Sequence, residues 1–481
     1  MERIKRGVAL LLLLVFSVTL FSCSKSDTEE TDTEESDYVS VAETSDMVLP
    51  YSREDGINPF KATSLMNEPI MPLLYQGLYS VSESYEPIAE LAASATLSGN
   101  NLIIAVDTTK QFSDGTNVTA DDVVYSFNKA KKSTYYGTEL TYIEEAEATG
   151  SKTVTFKLTQ KNKYITACLD FPIVKYGTAT DNNSVPTGSG LYTYATSEDG
   201  GLLTLREEYS KDYSVQQVFL TNTADDEALV NSMSIGRMNA MYDDLSSGSL
   251  KRTGASTTQV PLNNLVYIGF NQKTYGWNEL ENRLYLYMLI DRDNLINTGM
   301  DSYGEATTLP FNTRWYMVQN LTGPTGDTKK AKTALKKAFK DHSVTILCCS
   351  DNDFKVKTAN ALQEQLEDAG VTATVNAVPY SQYTKAVSSG SYSIYIGEYK
   401  LTNDMNLTKL LAGTELADLY AGVLDGSTTV EDFVNAFFDE TPFIPICYRN
   451  GMLAYSKTLE TTPEVLPNDP YANLPNWTFA D

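Results

Sequence analysis

The chain has one histidine and five cysteines in 481 residues, and its 62 acidic side chains against 37 basic ones leave a formal charge of −25. Each shortage removes a class of chemistry. His342 stands beside Asp341 in a lysine-rich segment and reads as a surface residue. That leaves no imidazole for a Ser-His-Asp triad, a Cys-His pair or a histidine-rich metal site, and neither HExxH nor GxSxG occurs. The excess of negative charge argues against nucleic acid and against anionic membrane surfaces. No CxxC is present, and adjacent Cys348 and Cys349 sit in an apolar run where they would point to opposite faces of a strand as small hydrophobes. Residues 187–192, TGSGLY, carry two glycines for a tight crossing, but no Lys-Ser/Thr follows and no helix opens there; residues 323–330, GPTGDTKK, also fail the spacing of a phosphate-binding loop. There are no tandem repeats. Paired carboxylates are the one catalytic device left, among so many acids that some lie close by chance, and no metal or other cofactor is expected.

What is present begins at the N-terminus. Arg3, Lys5 and Arg6 precede an apolar run over 8–21, too short for a comfortable bilayer span, so residues 1–22 fit a secretion signal. Leu20-Phe21-Ser22-Cys23 resembles the lipobox of bacterial lipoproteins, although Phe21 is bulkier than that pattern prefers. The resemblance implies that Cys23 is diacylated and becomes the mature N-terminus. Residues 23–45 then form a polar acidic tether that can bury nothing and would hold a globular body off the membrane. The rest is long enough for two or three lobes with cores.

The most specific stretch is residues 111–127, QFSDGTNVTADDVVYSF. Asp114-Gly115 is a tight-turn pair, and Thr119 opens a helix whose first turn carries Asp121 and Asp122, with Val118 placed to staple onto Val123. Val123, Phe127 and Ala130 continue one apolar face. This block resembles the signature of the family 5 extracellular solute-binding proteins, the peptide and nickel receptors of ABC importers, at Phe112, Asp114, Gly115, Thr119, Ala120, Asp122, Val123 and Ser126. The resemblance implies an α/β fold of the type II periplasmic-binding-protein kind, with two large lobes, a hinge and a small accessory α+β subdomain. In that frame the block itself is scaffold.

The chain order supports the comparison. Residues 46–58 read as a strand and turn running into Asn58-Pro59; 65–79 have helical spacing despite Pro69 and Pro72, with Gly77 at the cap. The alternations in 101–107 and 153–158 read as strands. Residues 265–271 read as a strand, followed by one long amphipathic helix over 277–296 with Leu280, Leu284, Tyr287 and Met288 on its face. Strand 344–349, helix 357–369 capped by Gly370, and strand 371–378 make a βαβ unit. Residues 383–399 and the return strand 442–455 resemble further family elements. The expected division is 46–60, 167–263 and 445–481 for the first lobe, 61–166 for the accessory subdomain, and 264–444 for the second lobe, with a hinge crossing just before Asn264.

For the site, the resemblance implies Arg53, Glu54, Asn271, Glu398, Tyr399, Thr402 and Asp404 as ligand-binding candidates. Peptide receptors of the family read approximately W-x-x-D-Y-x-D-P in the segment that this chain fills with 397–411; Tyr399 replaces the tryptophan, and Thr402 replaces the aspartate that pairs with a peptide ammonium. A threonine hydroxyl cannot balance a buried ammonium, so the peptide assignment is weakened unless Asp404 or Glu398 substitutes. The expected protein is a monomeric, lipid-anchored, extracytoplasmic receptor, not an enzyme, that closes two lobes over an oligopeptide or similar small polar solute and delivers it to an ABC permease. A secreted carboxylate-dependent hydrolase and a surface lipoprotein for adhesion or sensing are the alternatives.

Overall fold

In the computed structural model, which describes residues 47–198 and 200–480, the two alternating segments become neighbouring antiparallel strands, Asn101–Val106 and Thr153–Leu158. They form the centre of a four-stranded sheet flanked by Ala92–Ser98 and Ile143–Gly150. Their inward residues Leu102, Ile104, Val154 and Phe156 are buried, as a period of two requires when one face is covered. The cover is the helix Ala120–Ala130, whose Phe127 meets Phe156 edge-on with ring centroids 5.5 Å apart. Asp122 reaches back to accept from the Thr119 N–H at 2.9 Å and its hydroxyl at 2.6 Å, closing the helix start.

The other polar residues of this block clamp a distant segment. Lys175 pairs with Asp114 at 2.6 Å, the Tyr176 N–H donates to Asp122 at 2.7 Å, and the Val174 N–H donates to the Ser126 hydroxyl at 2.9 Å. Each therefore does two jobs, shaping its own turn or helix and fixing 174–176 against it.

A second four-stranded sheet pairs Met47–Tyr51 in parallel with Gln217–Asn222, then Gly200–Leu205 and Tyr192–Thr196 antiparallel. Met47, Leu49, Leu203 and Val218 share one core with the accessory strands, and the tail closes it with Tyr471, Leu474 and Trp477. The 187–192 segment crosses here: the Gly190 N–H donates to Leu74 O at 2.9 Å, and a Cβ on Gly190 would lie 2.4 Å from the Leu74 carbonyl carbon. Because that neighbour is backbone, Gly190→Ala should cost about 2 kcal/mol or more, measured as a lowered urea midpoint.

The largest sheet has seven strands, in the order Ala240–Asp243, Phe443–Tyr455, Ser256–Phe270, Ile394–Lys400, Val344–Cys349 and Ala373–Val378, with Gly304–Ala306 added on Phe443–Tyr455. The last two of the path are parallel and joined by the helix Asp353–Asp368. Leu362 and Leu366 of that helix pack on Ile346 and Cys348 in one core; a second core on Phe311, Trp315, Phe433 and Phe437 takes in Tyr85 and Tyr164 from the accessory part. Strands Ser256–Phe270 and Phe443–Tyr455 run antiparallel through the body, and their register slips between Val260 and Asn264, where Pro261 can donate no ladder bond. Hydrogen bonding carries this sheet down to Ala240 and Ser256, residues that the sequence reading places before the crossing.

Three elements differ from the pattern in the sequence. Residues 65–79 form only a 3₁₀ turn, Glu68–Ile70, and one α-turn, Met71–Leu74, because each proline starts a new turn. Gly77 is no left-handed cap; a Cβ there would sit 2.8 Å from the Asp170 carbonyl, so close approach explains it. The long helix breaks into Leu280–Leu289 and Arg292–Gly299 because Asp291 caps the second, accepting from the Asn294 N–H at 3.0 Å. Its buried side is Arg283, Leu286, Tyr287 and Leu289, rotated from the expected stripe because Arg283 turns inward to carbonyls of Trp277, Glu440 and Thr441. The third, Asp353–Asp368, begins four residues before the expected start, capped by Asn352, which accepts from the Lys355 N–H at 3.0 Å.

Cys168, Cys348 and Cys447 are buried and Cys349 half-buried, all as free thiols. His342 lies exposed, stacked on Tyr275 at 3.6 Å. No helix among the described residues is long and apolar enough to cross a membrane. The signal, Cys23 and the tether lie outside the described residues.

Candidate functional site

Two cavities adjoin where the end of the Ile394–Lys400 strand faces the first-sheet side of the molecule. One, of about 240 Å³, is bounded by Glu68, Tyr135, Tyr242, Asp244, Asn264 and Lys400; the other, of about 270 Å³, by Glu68, Tyr135, Thr138, Glu139 and Lys400. They share Glu68, Tyr135 and Lys400. A third cavity, of about 340 Å³, is lined by Tyr75, Glu90, Tyr136, Asp170, Asn468 and Asp469, and meets the first at Asn468.

Local structure presents each polar group. Glu68 begins the 3₁₀ turn after Asn67, whose side chain is locked by the Ser52 N–H at 2.8 Å and by the carbonyls of Ser52 and Gly56, both at 2.7 Å. Glu139 ends the one-turn helix Tyr136–Glu139, and Lys400 ends its strand with the ammonium 5.0 Å above the Tyr135 ring. The 401–407 loop then leaves the large sheet and is buried against the first-sheet side. Asn403 spans the gap: its N–H donates to Glu139 at 3.1 Å, its side-chain amide to Asp170 at 2.8 Å, and its amide oxygen accepts from Asn468 at 3.3 Å. Asn162 donates to Asp404 at 2.6 Å. Met405 takes φ +58°, a conformation closed to proline, and its carbonyl accepts from the Tyr420 hydroxyl at 2.7 Å.

The carboxyls in this region are displaced upward. Burial pushes Glu68 up to about 7, helped by Asp244 and Asp55 and opposed by Lys400. Burial raises Glu139 and the charge of Asp170 adds to it, against the pull of Lys400 and the Asn403 N–H. Burial likewise raises Asp170, and it pushes Asp469 up to about 6. Asp170 Oδ1 is sealed from solvent and has no hydrogen-bond partner. No group of three or more acidic, cysteine or histidine side chains among the described residues is arranged to hold a metal ion.

The seven residues expected from the sequence lie elsewhere or are committed to internal bonds. Arg53 and Glu54 are exposed, with the Arg53 guanidinium on the carbonyls of Ser197 and Glu198 at 3.0 and 2.8 Å. Asn271 ties off its strand, donating to Gly390 O at 2.7 Å and Tyr392 O at 3.1 Å. Glu398 is engaged by Lys355, by Arg449 at 2.8 Å and by Asn264 at 2.8 Å. The Thr402 hydroxyl donates to Asp404, and both are buried. Half-buried Tyr399 has its hydroxyl pushed up to about 12 by burial, and none of the seven lines the three cavities. The residues that do, Glu68, Glu139, Asp170, Lys400 and the tyrosines, are scattered single letters with no spacing signal; only the closed topology gathers them.

The family model described as bacterial extracellular solute-binding proteins, family 5, middle, matches residues 86–409. The oligopeptide-binding protein AppA of Bacillus subtilis is 23% identical over the whole of both chains. Its solved structure in complex with a nonapeptide is 20% identical in the structural comparison, covers 91% of this chain and 99% of the other, and has a TM-score of 0.58. The ABC transporter substrate-binding protein CtaP of Listeria monocytogenes gives 0.69 at 20% identity, with 91% and 99% covered. The fold is that of a type II periplasmic binding protein.

Proposed function

We propose, from the premise that this chain belongs to the family 5 bacterial extracellular solute-binding proteins, that it captures a small peptide-like or other polar solute and presents it to an ABC permease. The family binds its substrates and does not transform them. The observation that carries the reading is the joined set of cavities around Glu68 and Lys400, bordered on one side by the end of the large sheet and on the other by the accessory part. Closure would turn about the register slip at 261–263, where the two through-running strands are least constrained. Cys23 would carry the lipid and the acidic tether the spacing from the membrane, with the body acting as a monomer outside the cytoplasm.

The test is a thermal-shift screen of peptides, amines and sugars on the full-length chain in mild detergent. One class is expected to raise Tm by mass action, since ligand at a hundred times Kd adds about 2.7 kcal/mol to the folded state. Silence across a broad panel sinks the receptor reading. Separately, Cys23→Ala should release the protein from the membrane fraction; retention there would remove the lipid anchor.

A further inference from the structure

The receptor reading leaves the solute's chemistry open, and this inference rests on it. Six carboxylates, Glu68, Glu90, Glu139, Asp170, Asp244 and Asp469, line the three connected cavities, and Lys400 is the single basic side chain among the lining residues. None of the six forms an ion pair among the described residues. What they accept comes from neutral donors: Gln76 and Ser80 on Glu90, Asn403 on Glu139 and Asp170, the Ser246 N–H on Asp244 and the Tyr471 N–H on Asp469. Hydrogen bonds of that kind orient a carboxylate without neutralising it, and Asp170 Oδ1 has no donor at all. All six are half-buried, and Lys400 is the one positive charge they share, so carboxylates partly withdrawn from water with too little countercharge favour a cationic occupant in their ionised forms. Tyr75, Tyr79, Tyr135, Tyr136 and Tyr242 line the same spaces, and aromatic faces suit ammonium and guanidinium groups, as Lys400 over Tyr135 already illustrates.

We infer that the solute is an extended oligocation carrying at least two ammonium or guanidinium groups along a slender chain, the chemistry shared by basic oligopeptides and polyamines. The acidic positions are distributed over successive cavities, so one compact monocation would satisfy only part of them. Lys400 acts as a built-in competitor: it supplies the cavity with one positive charge when the solute is absent and repels part of the solute when it arrives.

The experiment is titration calorimetry on the full-length protein in detergent with tri-lysine, spermidine, tri-alanine and tri-glutamate. Tri-lysine or spermidine should bind at least about tenfold more tightly than tri-alanine, tri-glutamate should not bind, and added salt should weaken the cationic ligand. Tri-lysine alone identifies a basic peptide as the source; spermidine alone identifies a polyamine. Glu68→Gln with Glu139→Gln should reduce the preference by about tenfold or more, and Lys400→Met, a change at an exposed head group, should tighten the oligocation several-fold even if the double variant does not fold. Equal binding of tri-alanine and the oligocations would overturn the inference while leaving the receptor intact. Failure of all four ligands would overturn it too, and a response to sugars or other solutes in the thermal screen would then show that the receptor reading survives.

Discussion

Replacing Glu398 by alanine should lower the stability of the protein by about 3–5 kcal/mol, read from urea denaturation, because it strands two cations. Lys355 and Arg449 are only 8% and 3% exposed, and Glu398 is the carboxylate that both of them reach. Burial alone would raise the Glu398 carboxyl; the charges of Lys355 and Arg449 reverse that and hold it far below the usual range. A depressed carboxyl contributes stability that is fully present above its unfolded value, near 4.3, and is lost as pH falls toward the folded value. The loss in Glu398→Ala should therefore be full at neutral pH and shrink in strong acid. Adding Lys355→Met should recover part of it, since the pair is coupled. A stable Glu398→Ala protein that had lost only solute affinity would instead return Glu398 to the ligand site.

Glu139→Gln should do the opposite above neutral pH and stabilise the ligand-free protein by about 1–2 kcal/mol. Glu139 faces Asp170, Lys400 and Asp404, lies in the Tyr135-Tyr136 turn, and accepts the Asn403 N–H, which glutamine can still accept. Its raised carboxyl means that the folded protein holds a proton which the unfolded chain has released. Stability is thus greatest in acid and falls as pH rises from the unfolded value through the folded one. The variant should match the parent near pH 4 and exceed it progressively in the alkaline direction, measured as Tm against pH. A parent whose Tm rises from neutral to alkaline pH in parallel with the variant would refute the argument.

The elements that could be read from sequence were those whose signals are local. Thr119 with Asp122, Gly115 at positive φ and the alternation in Asn101–Val106 need only a few neighbours to act, and each took its expected place. Family membership was legible for the same reason. The misread helices failed on interactions from afar. Arg283 belongs to the buried side because carbonyls more than 150 positions away receive it, and the break at Asp291 competes with an apolar pattern that runs straight past it. The site was less legible still. A resemblance places the contact loop, yet its inserted conformation spends Thr402, Asn403 and Asp404 on internal bonds, while the cavity-lining acids come from six separate segments among 62 acidic letters.

The Phe443–Tyr455 strand lies between Ala240–Asp243 and Ser256–Phe270, so an interior strand of the largest sheet follows all the sheet's other strands in the chain. Until it arrives, two earlier strands have open edges and no common neighbour, and the loop that must close to join them is nearly the length of an ordinary domain. Topology of this kind slows folding. Chains ending before Phe443 should remain protease-sensitive and sticky, and until that strand pairs the chain stays threadable.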